Sequence, residues 1–193
     1  MKILVGLGNP GHTYHGTRHN VGFALIEQMS KRHSTQLLNR AVSPADQRPA
    51  AVYGEYRDGK ETVRLLMPLT MMNESGEALR GLSVPAKDLL LVCDDVNLPL
   101  GTIRLRPQGG AGGHHGLQSC LEVLGTEEVP RLRIGVGVPQ LPEDLTDFVL
   151  SHFASEERPI AALAMEQAVE ACETWIKEGM EIAMTQHNRA QDA

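Results

Sequence analysis

Residues 3–7 are an uninterrupted apolar run that stops at Gly8-Asn9-Pro10-Gly11, the pattern of a buried strand ended by a turn. Beyond it, Val21, Leu25 and Met29 recur at helical spacing, which predicts a helix to about His33 with Asn20 as its cap. Residues 40–50 carry two prolines among polar residues and read as a loop. Residues 51–57 and 62–67 read as strands flanking Asp58-Gly59-Lys60, a hairpin signal. A short helix is expected over 74–82, and 89–93 is a continuous apolar run typical of a central parallel strand. Residues 102–106 alternate apolar and basic, as a half-exposed strand does. The glycine-rich stretch 109–113 precedes a helix over 116–124, and 132–138 is another strand. Pro159 opens a long helix that runs to Gly179, its C-cap, and 181–193 reads as a frayed tail.

Strands and helices alternate around one hairpin, without repeats or an interdomain linker. The expectation is an α/β fold: a single domain over 1–193, with a twisted, mixed but largely parallel sheet covered by helices on both faces in three layers. Sites in such sheets gather at the C-terminal edge of the strands. That rule selects residues 8–19, 68–75 and 93–98.

Composition narrows the chemistry. Eight histidines outnumber the seven aromatic residues in 193, which directs attention to acid–base or metal chemistry. Cys93, Cys120 and Cys172 are widely spaced, odd in number and free of any C-x-x-C pair, so neither a disulfide framework nor a thiolate zinc site is expected. The apolar start is too short for a signal peptide, and no run approaches a membrane span; the expected compartment is the cytoplasm. The net charge of −6 argues, taken whole, against a nucleic-acid partner.

Four arrangements are worth weighing. Gly6-Leu7-Gly8-Asn9-Pro10-Gly11 has the spacing of a dinucleotide-binding loop, but the helix starts too late and no acidic residue ends a second strand at the right distance. His12, His15 and His19, with Asp94 or His114, could form a metal site, although loop histidines are more often surface groups or single bases. Cys93 beside Asp94 could be a nucleophile, but its place at the end of an apolar strand favours an inert, buried thiol. Water activated by a histidine needs one imidazole, one carboxylate to fix its tautomer and a few neutral donors. His19, Asp94, Asn9 and Asn73, all placed in loops after strands, supply that set; turn and cap roles for the two asparagines remain the plain alternative. A separate basic theme comes from Arg104, Arg106, Arg131 and Arg133, two pairs that each share a strand face. Near the glycine-rich loop they could hold a phosphate with help from loop amides, or they could be a solvated face paired to glutamates.

Taken together, six motifs resemble the bacterial-type peptidyl-tRNA hydrolases over nearly the whole chain. They are Val5-Gly-Leu-Gly-Asn-Pro-Gly11, Thr17-Arg-His-Asn-Val-Gly22, Met72-Asn-Glu-Ser-Gly76, Asp94-Asp-Val-Asn-Leu-Pro-Leu-Gly101, Gly109-Gly-Ala-Gly-Gly-His-His-Gly-Leu117 and Arg131-Leu-Arg-Ile-Gly-Val-Gly137. The resemblance implies hydrolysis of the ester between a peptide and the 3′-terminal ribose of tRNA, which returns tRNA from dropped or stalled translation. It implies catalytic roles for His19 as base and Asp94 as its orienting carboxylate, with Asn9 and Asn73 positioning the substrate carbonyl. Tyr14, Met71 and His115 are expected to meet the 3′-CCA end or the peptide, and Arg106 and Arg133, assisted by Arg104, to clamp an acceptor-stem phosphate. No metal or cofactor is implied, and the expected state is a monomer. Two departures stand out. His115 occupies a place where the family pattern has asparagine, and Met71 one where it has an aromatic ring. They motivate the alternative, a non-catalytic RNA-binding relative of the same fold. Under the leading reading the charge has a regional meaning. Residues 1–140 hold 15 basic and 13 acidic side chains, and 141–193 hold 3 and 11, so the acidity predicts the face that tRNA avoids.

Overall fold

Alternation along the strands decides the layers of this protein. The computed structural model describes residues 1–188 and contains strands β1 (Lys2–Gly6), β2 (Asn39–Val42), β3 (Pro49–Asp58), β4 (Glu61–Pro68), β5 (Leu89–Pro99), β6 (Ile103–Arg106) and β7 (Arg131–Gly137). The helices are α1 (Val21–Arg32), α2 (His115–Leu124), α3 (Leu145–Leu150), α4 (Arg158–Glu178) and α5 (Met180–His187). The strands form one sheet in the order β2-β3-β4-β1-β5-β7-β6. β4, β1, β5 and β7 run parallel in its centre, while β2, β3 and β6 join antiparallel towards the edges.

Leu4, Leu90, Val92, Leu132 and Ile134 point to one face and pack on Leu25 and Ile26 of α1 and on Val169 and Trp175 of α4. Ile3, Val5, Leu89, Leu91 and Cys93 point to the other, against Leu117 and Leu121 of α2 and a 3-10 helix, Met72–Leu79. Each fully buried leucine contributes roughly 1.5–3 kcal/mol, so both layers carry the sheet. α1 lies unusually close to β1. A Cβ on Gly6 would collide with the Gly22 carbonyl, and one on Gly22 with the backbone of Leu7, so glycine at both places lets helix and strand backbones touch.

Several expectations change. Residues 40–50 are not all loop: Asn39–Val42 is an edge strand paired with β3, and Pro49 begins β3. Most of β2 is exposed, which removes the apolar signal, and a proline is tolerated at a strand's first residue. The helix expected over 74–82 is the 3-10 helix Met72–Leu79. The frayed tail is corrected as far as the structure describes it. α5 runs to His187, and the Asn188 amide pairs with the edge of β6, accepting from Leu105 N–H at 2.8 Å and donating to its carbonyl at 3.0 Å. Residues 189–193 of that expected tail lie outside the described residues. Among the described residues no helix is long and apolar enough to cross a membrane.

Candidate active site

Because β4, β1 and β5 are parallel neighbours, their C-terminal ends open side by side. Asn9 follows β1, Asn73 follows β4, and His19 sits in a 3-10 turn, Arg18–Asn20, that leads into α1. Asp94 was expected in a loop. It lies within β5 itself, opposite Ile134 of β7, because the strand continues past its apolar run before its register shifts.

Asp94 is buried, and two imidazoles converge on its Oδ1. His19 Nδ1 lies 2.8 Å away and His114 Nε2 3.0 Å away. The tautomers follow from the remaining contacts. His114 Nδ1 accepts the Leu117 N–H at 3.1 Å as the N-cap of α2, so its proton is on Nε2 and is donated to Asp94. His19 donates from Nδ1 to the same carboxylate, which leaves its Nε2 as an acceptor with no partner among the described residues. Burial alone would raise the Asp94 carboxyl. The electrostatic attraction and hydrogen bond of His114, with those of His19, more than offset it and hold the group well below the usual carboxylate range.

The asparagines are arranged by similar logic. Asn9 Oδ1 accepts the Met72 N–H at 2.7 Å, so its Nδ2 is the end offered to the site. Its backbone is clamped by Asn20, which accepts Asn9 N–H and donates to Asn9 carbonyl, both at 2.9 Å. Asn20 was expected as a helix cap; it makes no cap hydrogen bond and holds Asn9 instead. Asn73 is exposed at the start of its 3-10 helix and does not cap it. His19, Asp94, His114, Asn9 and Asn73 line one cavity of about 440 Å³, together with Met71, His115 and Arg133. Leu145, Thr146, Val149 and Leu150 of α3 close one side. Tyr14, in a separate turn, does not line it.

Of the rival arrangements, the histidine trio is not brought together. His12 and His15 are exposed, and His15 faces Glu27 at 4.0 Å. His19, Asp94 and His114 do place one ligand atom each within 4.8 Å of one another, a spacing that two N–H donors meeting one carboxylate oxygen already explain. Cys93 is buried, and burial beside the Asp94 charge pushes its thiol up, away from thiolate chemistry. Arg131 is withdrawn from any phosphate-binding set. It is fully buried and donates to the carbonyls of Gly109, Gly110, Glu127 and Val129. The glycine-rich loop therefore turns carbonyls, rather than amides, towards the arginines. Arg133 donates to Asp95 Oδ2 at 3.0 Å and Gly110 carbonyl at 3.1 Å, while Arg104 pairs opposite it in register and Arg106 is exposed.

With this geometry in place, comparison with known proteins decides the family. Residues 3–193 match the peptidyl-tRNA hydrolase family profile. The chain belongs to the peptidyl-tRNA hydrolase family. A peptidyl-tRNA hydrolase from Syntrophomonas wolfei is 43% identical over 192 residues, covering 97% of this chain and all of the relative. One from Bacillus cereus is 41% identical over 180 residues, covering 91% and 93%. The crystal structure of peptidyl-tRNA hydrolase from Acinetobacter baumannii superimposes with a TM-score of 0.87 at 32% identity, over 98% of this chain and 95% of that one. In this peptidyl-tRNA hydrolase, two features of the site lie outside the residues that the sequence pattern singles out for hydrolysis: His114 as the second partner of Asp94, and α3 as a wall. The signal for α3 was present, since Asp144 stands three residues before Asp147 and accepts its N–H at 3.0 Å, an N-terminal cap.

Proposed function

We propose that this chain hydrolyses the ester joining a peptide to the terminal ribose of tRNA, with His19 as the base. The observation that carries the reading is the His19 ring itself: Nδ1 is committed to a buried carboxylate while Nε2 is left open in a cavity. A water on Nε2 loses its proton as it attacks the ester carbonyl. The imidazolium that forms faces ionised Asp94, and the tetrahedral oxyanion is met by amide donors from Asn9 Nδ2 and Asn73. Collapse breaks the acyl–oxygen bond, and the proton on His19 passes to the departing ribose oxygen. His114 keeps Asp94 anchored from the other side.

Turnover in H₂¹⁸O tests the bond cleaved. The label is expected in the peptide carboxylate and not in the released tRNA. Absence of turnover, or label in the ribose, contradicts the reading.

The arginines extend the site away from the cavity. Arg133 lines it, Arg104 is the neighbour across the strand pair, and exposed Arg106 continues the row. Arg106→Ala is expected to raise KM for peptidyl-tRNA and to reduce the slope of log(kcat/KM) against log[salt] by about one. A short peptidyl-nucleotide without the tRNA body should show no change. Equal losses on both substrates contradict a phosphate clamp.

A further inference from the structure

Arg18 takes no part in the chemistry above, yet it is buried beside the base. Its guanidinium carbon lies 4.5 Å from the Phe148 ring and 4.8 Å from that of Phe153. Nη2 donates to Glu157 at 2.6 Å and Nε to Ser151 Oγ at 3.3 Å. The backbones are joined too: Arg18 N–H donates to the Ser151 carbonyl at 3.0 Å, and Thr17 bridges to His152.

These contacts join the turn that carries His19 to α3, which lines the cavity, and to the residues that follow α3, which do not. On one side is the turn Arg18–Asn20, with His19 at its centre. On the other is α3 and the segment after it. α3 has six residues, none of them fully buried, so packing alone fixes it weakly. As a plain stabiliser Arg18 would be a poor choice, because it is desolvated and its Nη1 has no hydrogen-bond partner among the described residues. What a planar cation adds is orientation: its fork and its stacking between two rings allow one geometry.

We propose that Arg18 is a positioning residue that locks α3 against the His19 turn, so that the base and the apolar wall take up one arrangement together. The proposal rests on His19 being the base. Two variants test it. Arg18→Lys keeps a charge for Glu157 but loses the plane between the rings, and Phe148→Leu removes one ring while keeping Arg18. In folded protein, both are expected to lower kcat on peptidyl-tRNA about tenfold to a hundredfold, the scale of a misplacement near 1 Å. Both should also broaden or abolish the downfield proton resonance of His19 Nδ1, which a loss of stability alone would leave intact. If Arg18→Lys does not fold, Phe148→Leu is read by the same two signals. Wild-type kcat with an intact resonance in a folded variant overturns the proposal. His19→Ala separates the two claims: full turnover there overturns the base assignment. Lost turnover there, combined with unchanged Arg18→Lys kinetics, overturns the role of Arg18 alone.

Discussion

His19→Ala is expected to lower kcat on peptidyl-tRNA by about a hundredfold to ten-thousandfold, the range that a positioned general base supplies. KM should change little, because Asn9, Asn73, Met71 and the arginine row remain in place. The loss follows from the proton inventory of the cavity. Asp94 is committed to two N–H donors, and His114 has Nδ1 occupied by Leu117 N–H and Nε2 by Asp94, so neither takes over as base without breaking its own contacts. His115 lines the cavity and is exposed, so it is the one imidazole placed to substitute. Comparing His19→Ala with His19→Ala/His115→Ala in single-turnover assays measures that residual route. A His19→Ala enzyme within a factor of three of wild type contradicts the assignment.

The second large effect is expected from Asp94→Asn. Both N–H donors meet one oxygen, Oδ1, which asparagine keeps, but asparagine offers no charge to the imidazolium. The equivalent substitution in the serine-protease triad costs about 10⁴ in kcat, and a fall of about a hundredfold to ten-thousandfold is expected here. Asp94 also fixes how the pH profile is read. Its folded carboxyl sits below the unfolded value, so its ionised form favours the native state. That contribution is complete above about pH 4 and is lost only as pH falls through the still lower folded value. Between pH 5 and 8 Asp94 is ionised throughout, and an acid limb in that window belongs to imidazole. If Asp94→Asn keeps wild-type kcat, the carboxylate is not orienting the base.

Much of this site is legible in the residue order. The apolar runs before Asn9 and at 89–93 are strands, the parallel rule puts their C-terminal ends together, and Asn9, Asn73, His19 and Asp94 do meet there. What sequence could not carry was the direction of side chains. His114 looks like a residue of a flexible loop, and only the packing of α2, with Gly116 against Met72, aims it at Asp94. Arg131 and Arg133 look alike two residues apart, yet one is sealed under the glycine-rich loop and the other reaches the cavity. β2 escaped because its residues are largely exposed, which leaves little hydrophobic period to detect, and α3 because six residues are too short for the spacing of Leu145, Phe148 and Val149 to span two full turns. Tyr14 shares the stretch 8–19 with Asn9 and His19, but the turn His12–Tyr14 carries it off the cavity wall.

The central claim is that neutral His19, through Nε2, takes the proton from water. ¹⁵N NMR of the two His19 ring nitrogens and kcat/KM for peptidyl-tRNA can be followed over the same pH series. The structure predicts a proton held on Nδ1 throughout and an acid limb in kcat/KM whose midpoint coincides with protonation of Nε2. A kcat/KM that does not fall as Nε2 gains its proton, or an acid limb whose midpoint departs from that event, contradicts it.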